Sequence, residues 1–145
     1  MEQAEPVFAE RVRRRFGVGV NKAIATLRKD GSPRISATEL EFEDGELTLG
    51  MMGGSLKLLD VRRDPRVAIH SPTVDAPTGD PEWPGDAKMS GRLIEVAKAD
   101  DRFPGAGFFR LDVEEVVLTS VDDAAQLLVI ESWHPGRGYR RRTRA

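Results

Sequence analysis

Cysteine is absent from the chain's 145 residues, which excludes disulfides and thiolate metal sites. Histidine is scarce. His70 and His134 are the two present, and no HExxH or paired-histidine helix is spelled out, so no transition-metal centre is expected. Neither a GxSxG elbow nor a Walker lysine loop occurs, which removes two common chemistries. No apolar run approaches the roughly 20 residues needed to span a bilayer. The opening "MEQAEPVFAERVRRRF" lacks the apolar core of a signal peptide, so a cytoplasmic location is expected. His70 lies in or beside a strand and is expected to be a structural, hydrogen-bonded histidine. With metals and protein-borne nucleophiles poorly supported, any hard chemistry falls to a bound organic cofactor.

What is present is an ordinary globular composition, 39% apolar and 32% charged, in a length that suits one domain over residues 1–145. Net charge is only −2, so the whole molecule is not a polyanion binder, and no nucleic-acid motif occurs. The charge is unevenly placed. Arg11, Arg13, Arg14 and Arg15 lie near the start, and Arg137, Arg140, Arg141, Arg142 and Arg144 crowd the end. Asp75, Asp80, Glu82 and Asp86 sit together in the middle.

Glu5 to Phe16 has the spacing of an amphipathic helix, with Val7, Phe8, Val12 and Phe16 near one face. Asp30-Gly31 and Asp44-Gly45 are hairpin signals that separate strands at Lys22 to Arg28, Pro33 to Phe42 and Glu46 to Met51. In the middle strand Ile35 and Ala37 share one parity and Leu40 and Phe42 the other, which predicts a bulge near Thr38 or Glu39. A short helix follows Ser55 and stops at Asp64-Pro65. "RVAIHS" is a strand, and "PTVDAPTGDPEWPGD" is a long loop of the kind that serves as a lid, a binding loop or a mobile insertion. "AKMSGRLIEVAKA", "GFFRLDVEEVVLTSV" and "AQLLVIESW" are further strands, with a turn at Asp122-Asp123. The tail "HPGRGYRRRTRA", part of a C-terminal segment 133–145, reads as irregular. Six or seven antiparallel strands with two short helices predict a mainly β fold, a small closed or half-closed barrel.

One stretch, "GGSLKLLDVRRDPR", breaks a rule. The helix opening at Ser55 has Lys57 in its first turn and no carboxylate, although the helix dipole favours an acid there. Leu58 stands where a capping box needs Glu or Gln, so first-turn amides stay partly free. Free amides, a hydroxyl and a lysine on one turn can hold an anion, most naturally a phosphate. The alternative is a lysine that faces water. Arg34, early in a neighbouring strand, can join the same anion or stay an exposed strand arginine.

The run "IATLRKDGSPRIS", then "DGELTLG", then "GSLKLLDVRRDPRVAIH", with "MSGRLIEV" and the ending "ESWHPGRGYRRRTR", resembles the pyridoxamine 5′-phosphate oxidase-like flavin-binding split-barrel proteins. The resemblance covers about Lys22 to Arg144. It implies a six-stranded split β-barrel that forms a homodimer, with cofactor sites at the interface. The implied cofactor is FMN or the deazaflavin coenzyme F-420. It implies phosphate contacts from Lys57, Ser55 and Arg34, and a ring lined by Ile35, Ser36, Ala37, Thr38, Gly50, Met51 and Met52. Trp133, His134 and Arg137 would come from the partner chain, and the clustered arginines would suit the coenzyme's polyglutamate tail. The implied activity is flavin- or deazaflavin-dependent hydride transfer to a small organic substrate, entering under the Ser71 to Asp86 loop. A non-catalytic carrier on the same fold is the alternative. True pyridoxamine phosphate oxidase activity is not expected, because Leu56 precedes Lys57 where such enzymes carry Arg-Lys.

Overall fold

In the computed structural model, residues 1–75, 83–98, 100–122, 124 and 126–145 are described. The order is α1 (Pro6–Phe16), β1 (Lys22–Leu27), β2 (Pro33–Thr38), β3 (Glu41–Glu43), β4 (Glu46–Met51), α2 (Leu56–Arg63), β5 (Arg66–His70), β6 (Asp86–Val96), β7 (Gly107–Asp122), β8 (Leu127–His134) and β9 (Gly138–Arg144). The strands form a single antiparallel sheet along the path β2-β1-β5-β6-β7-β4-β3, with β8 and β9 continuing from β7. Long β7 makes this branching possible. Its beginning pairs with β4 and its end with β8.

Both Asp-Gly turns close hairpins. Asp44 and Gly45 have φ of 50° and 78°, the paired left-handed conformations of a tight hairpin turn. The core gathers Phe8, Val12 and Phe16 from α1 with Ile24, Leu49, Met51, Ile69, Met89, Phe109 and Leu118 from the sheet, and Leu58 and Val61 from α2. Val7 does not join it and is 75% exposed. At 100° per residue Val7 lies opposite Phe16, so the helix buries Ala9 in its place.

Three expectations need correction. The strand expected over Pro33 to Phe42 is two strands, β2 and β3, and it carries no parity switch. Arg34, Ser36, Thr38, Leu40 and Phe42 all lie on the more buried side, while Ile35, Ala37, Glu39 and Glu41 are exposed. The inner face starts polar because α2 supplies a buried carboxylate there. The register shift in the sheet falls instead at Ser90/Gly91 in β6. The tail is not irregular, since Gly138–Arg144 pairs residue for residue with β8. The described residues therefore hold nine strands rather than six or seven. Part of the Ser71 to Asp86 loop (residues 76–82) and of the Asp122-Asp123 turn lies outside the described residues.

The tail folds because its hairpin docks on α1. Arg11 of α1 pairs with the buried Glu131 at 2.7 Å, and Tyr139 donates its hydroxyl to Glu131 Oε1 at 2.6 Å. The Phe8 and Tyr139 rings meet edge to face, 5.4 Å apart. No helix among the described residues is long and apolar enough to cross a membrane.

Candidate functional site

The turn that starts α2 is shaped by two glycines. A Cβ on Gly53 would stand 2.7 Å from the Pro104 carbonyl oxygen, so only glycine fits against that backbone, and Gly54 adopts φ +76°. Ser55 then caps the helix, its Oγ accepting from the Leu58 amide at 3.4 Å. The amides of Leu56 and Lys57 have no protein partner among the described residues. The expected free first-turn donors are present.

Lys57 does not face water alone. Its Nζ donates to the Ala37 carbonyl of β2 at 2.6 Å, and partial burial pushes its pKa below the ordinary lysine value. An ammonium has three donors, so two remain for a ligand after that bond. One helical turn on, Asp60 is 3% exposed and accepts from three groups. Thr26 Oγ1 and Arg34 Nε bond its Oδ2 at 2.7 and 2.8 Å, and Arg63 bonds its Oδ1 at 2.9 Å. Burial alone would push this carboxyl up. The hydrogen bonds from Arg34 and Thr26, with the charges of Arg34 and Arg63, outweigh it and hold the pKa below the usual aspartate value.

The helix α2 packs over β1 and is tied to β2 by a seam of two side chains, Lys57 at Ala37 and Asp60 at Arg34. Arg34, Ser36 and Thr38 share the inner side of β2, and Ser55 and Lys57 begin α2. Arg34 engages only Nε, so its two Nη nitrogens have no protein partner among the described residues. Ala37 faces the other way. On that outer face Ala23 stands opposite Ala37, and Ala25 opposite both Ile35 and Ala68, a smooth surface with Ile35 77% exposed.

The remaining sequence candidates are dispersed. Met51 is 1% exposed in the core, whereas Met52 is an exposed side chain beside the helix start. Gly50 packs on the Phe108 ring, from which a Cβ would be 3.3 Å away. Trp133 lines a different cavity of about 530 Å3, with Phe42 and Val113. His134 Nε2 lies 2.7 Å from Glu115 Oε2, and Arg137 is exposed in the β8–β9 turn. Within one chain these three do not meet Lys57. His70 is the expected structural histidine, its Nδ1 2.6 Å from the Ser71 carbonyl.

Sequence reasoning missed Asp60, Thr26 and a cleft of about 580 Å3 between α2 and the β1–β2 turn, where Arg28 and Lys29 project beside Arg34 and Arg63. Asp60 carried no readable signal, since at 100° per residue it lies well off the stripe of Leu58 and Val61, and only the fold buries it with them. Glu39 and Glu41 lie on the exposed side of their strand, off the seam.

No protein-family model and no curated protein matches the chain. Solved structures do. A pyridoxamine 5′-phosphate oxidase-related, FMN-binding protein from Nostoc punctiforme superposes with a TM-score of 0.65 at 12% identity, covering 97% of this chain and 95% of that one. PhzG from Burkholderia lata, solved with tetrahydrophenazine-1-carboxylic acid, gives 0.66 at 10% identity, covering 97% and 89%. An F-420 reductase gives 0.55 at 12% identity, covering 72% and 94%. The chain spans only 57% of the length of another match, a protein of unknown function from Agrobacterium tumefaciens. At these identities the likeness is one of fold, shared with the pyridoxamine 5′-phosphate oxidase-related protein among others.

Proposed function

We propose that the chain is an oxidoreductase that binds FMN or the deazaflavin coenzyme F-420 on the α2–β2 seam, as a homodimer with its sites at the interface. The observation that carries this is the donor set at one helix start. Two free amides, the Lys57 ammonium and the spare Arg34 Nη groups fit a phosphate dianion. The neighbouring structures support the reading, since one is an FMN-binding protein and another an F-420 reductase. Ile35, Met52, Leu56 and Leu59, each more than half exposed, fit a surface covered by a second copy. Trp133, His134 and Arg137 would reach the site from that copy.

The bound cofactor supplies hydride transfer. The protein's part is to anchor the phosphate, present the ring and exclude water. The alternative is a carrier on the same fold. The observation favouring it is that the seam's polar groups are phosphate donors or, like Asp60, already bonded internally.

Fluorescence titration with FMN and with the deazaflavin coenzyme tests binding, and sedimentation tests the dimer. Saturable binding of either that Lys57→Ala weakens supports the proposal, and binding of neither sinks it. Turnover with quinones or activated alkenes then divides enzyme from carrier.

A further inference from the structure

Two rows of like charge stand on the outer side of the sheet, and nothing in their own chain neutralises them. Exposed and buried residues alternate from β2 into β3, so Ile35, Ala37, Glu39, Glu41 and Glu43 share the outer side. The last three are acids. Across β4, Glu41 faces Thr48, and Glu43 faces Glu46, a like charge directly opposite. The counterpart lies on β9. Arg140, Arg142 and Arg144 alternate along it and face Ser132, Ile130 and Leu128 of β8, none of them an acid. Arg141 belongs to the other side of the strand, opposite the buried Glu131. Neither row makes an ion pair or a side-chain hydrogen bond among the described residues.

The rows match in number, spacing and opposite sign. Residues two apart on a strand are separated by about 6.6 Å, so three glutamates and three arginines repeat at the same interval. Both strands also end their paths, since among the described residues β3 pairs with β4 alone and β9 with β8 alone. Like rows repel, so each row selects the other.

We propose that the Glu39, Glu41 and Glu43 row of one copy docks on the Arg140, Arg142 and Arg144 row of a second copy. The reciprocal contact closes the pair about a two-fold axis. This contact rests on the homodimer proposed above and names the side chains that hold it together. Arg140 meets Glu39, Arg142 meets Glu41 and Arg144 meets Glu43. That direction carries the second copy's β8–β9 turn, with its Arg137, along the outer side of β2 toward Ala37, whose carbonyl holds Lys57.

The test is a charge swap read by sedimentation at low salt, where screening is weakest. One variant carries Glu39→Lys, Glu41→Lys and Glu43→Lys, the other Arg140→Glu, Arg142→Glu and Arg144→Glu. All six positions are exposed, and circular dichroism checks the fold of each variant. The native chain is expected to be a dimer. Each variant alone sets like charges against each other in both contacts, and should raise the dimer dissociation constant at least about a hundredfold. Mixed one to one, the two variants should form a heterodimer. New lysines then meet new glutamates in one contact, and native glutamates meet native arginines in the other. A misfolded chain would not be rescued this way. The chain has no cysteine, so introduced thiols read the direction. A short bismaleimide should join Glu39→Cys to Arg140→Cys in mixed samples and not to Arg144→Cys, and the opposite result overturns the direction. A dimer that either variant retains, or variants that stay apart on mixing, overturn the contact and leave the homodimer standing. A native chain that is monomeric at low salt sinks both.

Discussion

Two buried carboxylates organise this molecule, and they do opposite things with their arginines. Asp60 sits under α2 at the edge of an open cleft, holding Arg34 and Arg63 by one nitrogen each. Glu131 sits under α1, its Oε1 accepting from Arg11 and Tyr139 while its buried Oε2 lies 2.7 Å from Arg11 Nη2 without a directed hydrogen bond. Around Glu131 the aromatic contact between Phe8 and Tyr139 helps close the site. Around Asp60 the arginines keep free N–H groups facing solvent. The same pairing of acid and arginine closes a structural joint in one place and presents a cationic surface in the other.

Breaking Asp60 should have the largest effect. Asp60→Ala leaves Thr26 unsatisfied and Arg34 without its anchor, and should cost about 3 kcal/mol in urea denaturation. It should also weaken phosphate-bearing ligands, because Arg34 is no longer held in place. Glu131→Ala should cost less, about 2 kcal/mol, because Arg11 is well exposed and can return to water. Ligand affinity should not change with it inside one chain. If both variants lose binding equally, the distinction between joint and site fails.

Lys57→Ala should weaken cofactor binding by about 1–3 kcal/mol while barely moving the denaturation midpoint, as calorimetry can measure. Acid should expose both carboxylates. Each has a pKa lowered in the fold, so its stabilisation is present above the unfolded value and is lost as pH falls through the folded one. Melting temperatures should therefore drop below about pH 4, and Asp60→Asn or Glu131→Gln should flatten that drop. The smallest and cleanest effect belongs to Tyr139, the chain's one tyrosine. Burial first, then the bond to Glu131 and its charge, push its pKa up to about 12. The neutral phenol is favoured in the fold, so this stabilisation holds below the unfolded value and fades as pH rises through the folded one. Tyrosinate absorbance should show a midpoint near 12 in the folded chain, and Glu131→Gln should lower it.

Much of the sheet was legible because its signals are local. Asp-Gly pairs and alternating residues such as Leu47, Leu49 and Met51 mark hairpins within a few positions. The helix start was legible for the same reason, since Gly53, Gly54, Ser55 and Lys57 fall within five consecutive positions. Asp60 was not, because Thr26 and Arg34 come from strands far upstream and only the fold brings them together. The last strand was hidden by its composition. Glycine and arginine carry little strand preference, and Gly138–Arg144 is fixed by its pairing with β8 and by Tyr139 on Glu131.

That last strand has a consequence for colloidal behaviour. Among the described residues it pairs with β8 alone, so its other side is an edge with open backbone donors and acceptors, the kind that recruits a neighbour's strand and seeds fibrils. Arg140, Arg141, Arg142 and Arg144 all project from it into solvent. Two such edges approaching each other meet like charge along their whole length. The arginines that looked like a loose basic tail act as a guard against self-templating, one that salt weakens and that charge-neutral substitutions would remove.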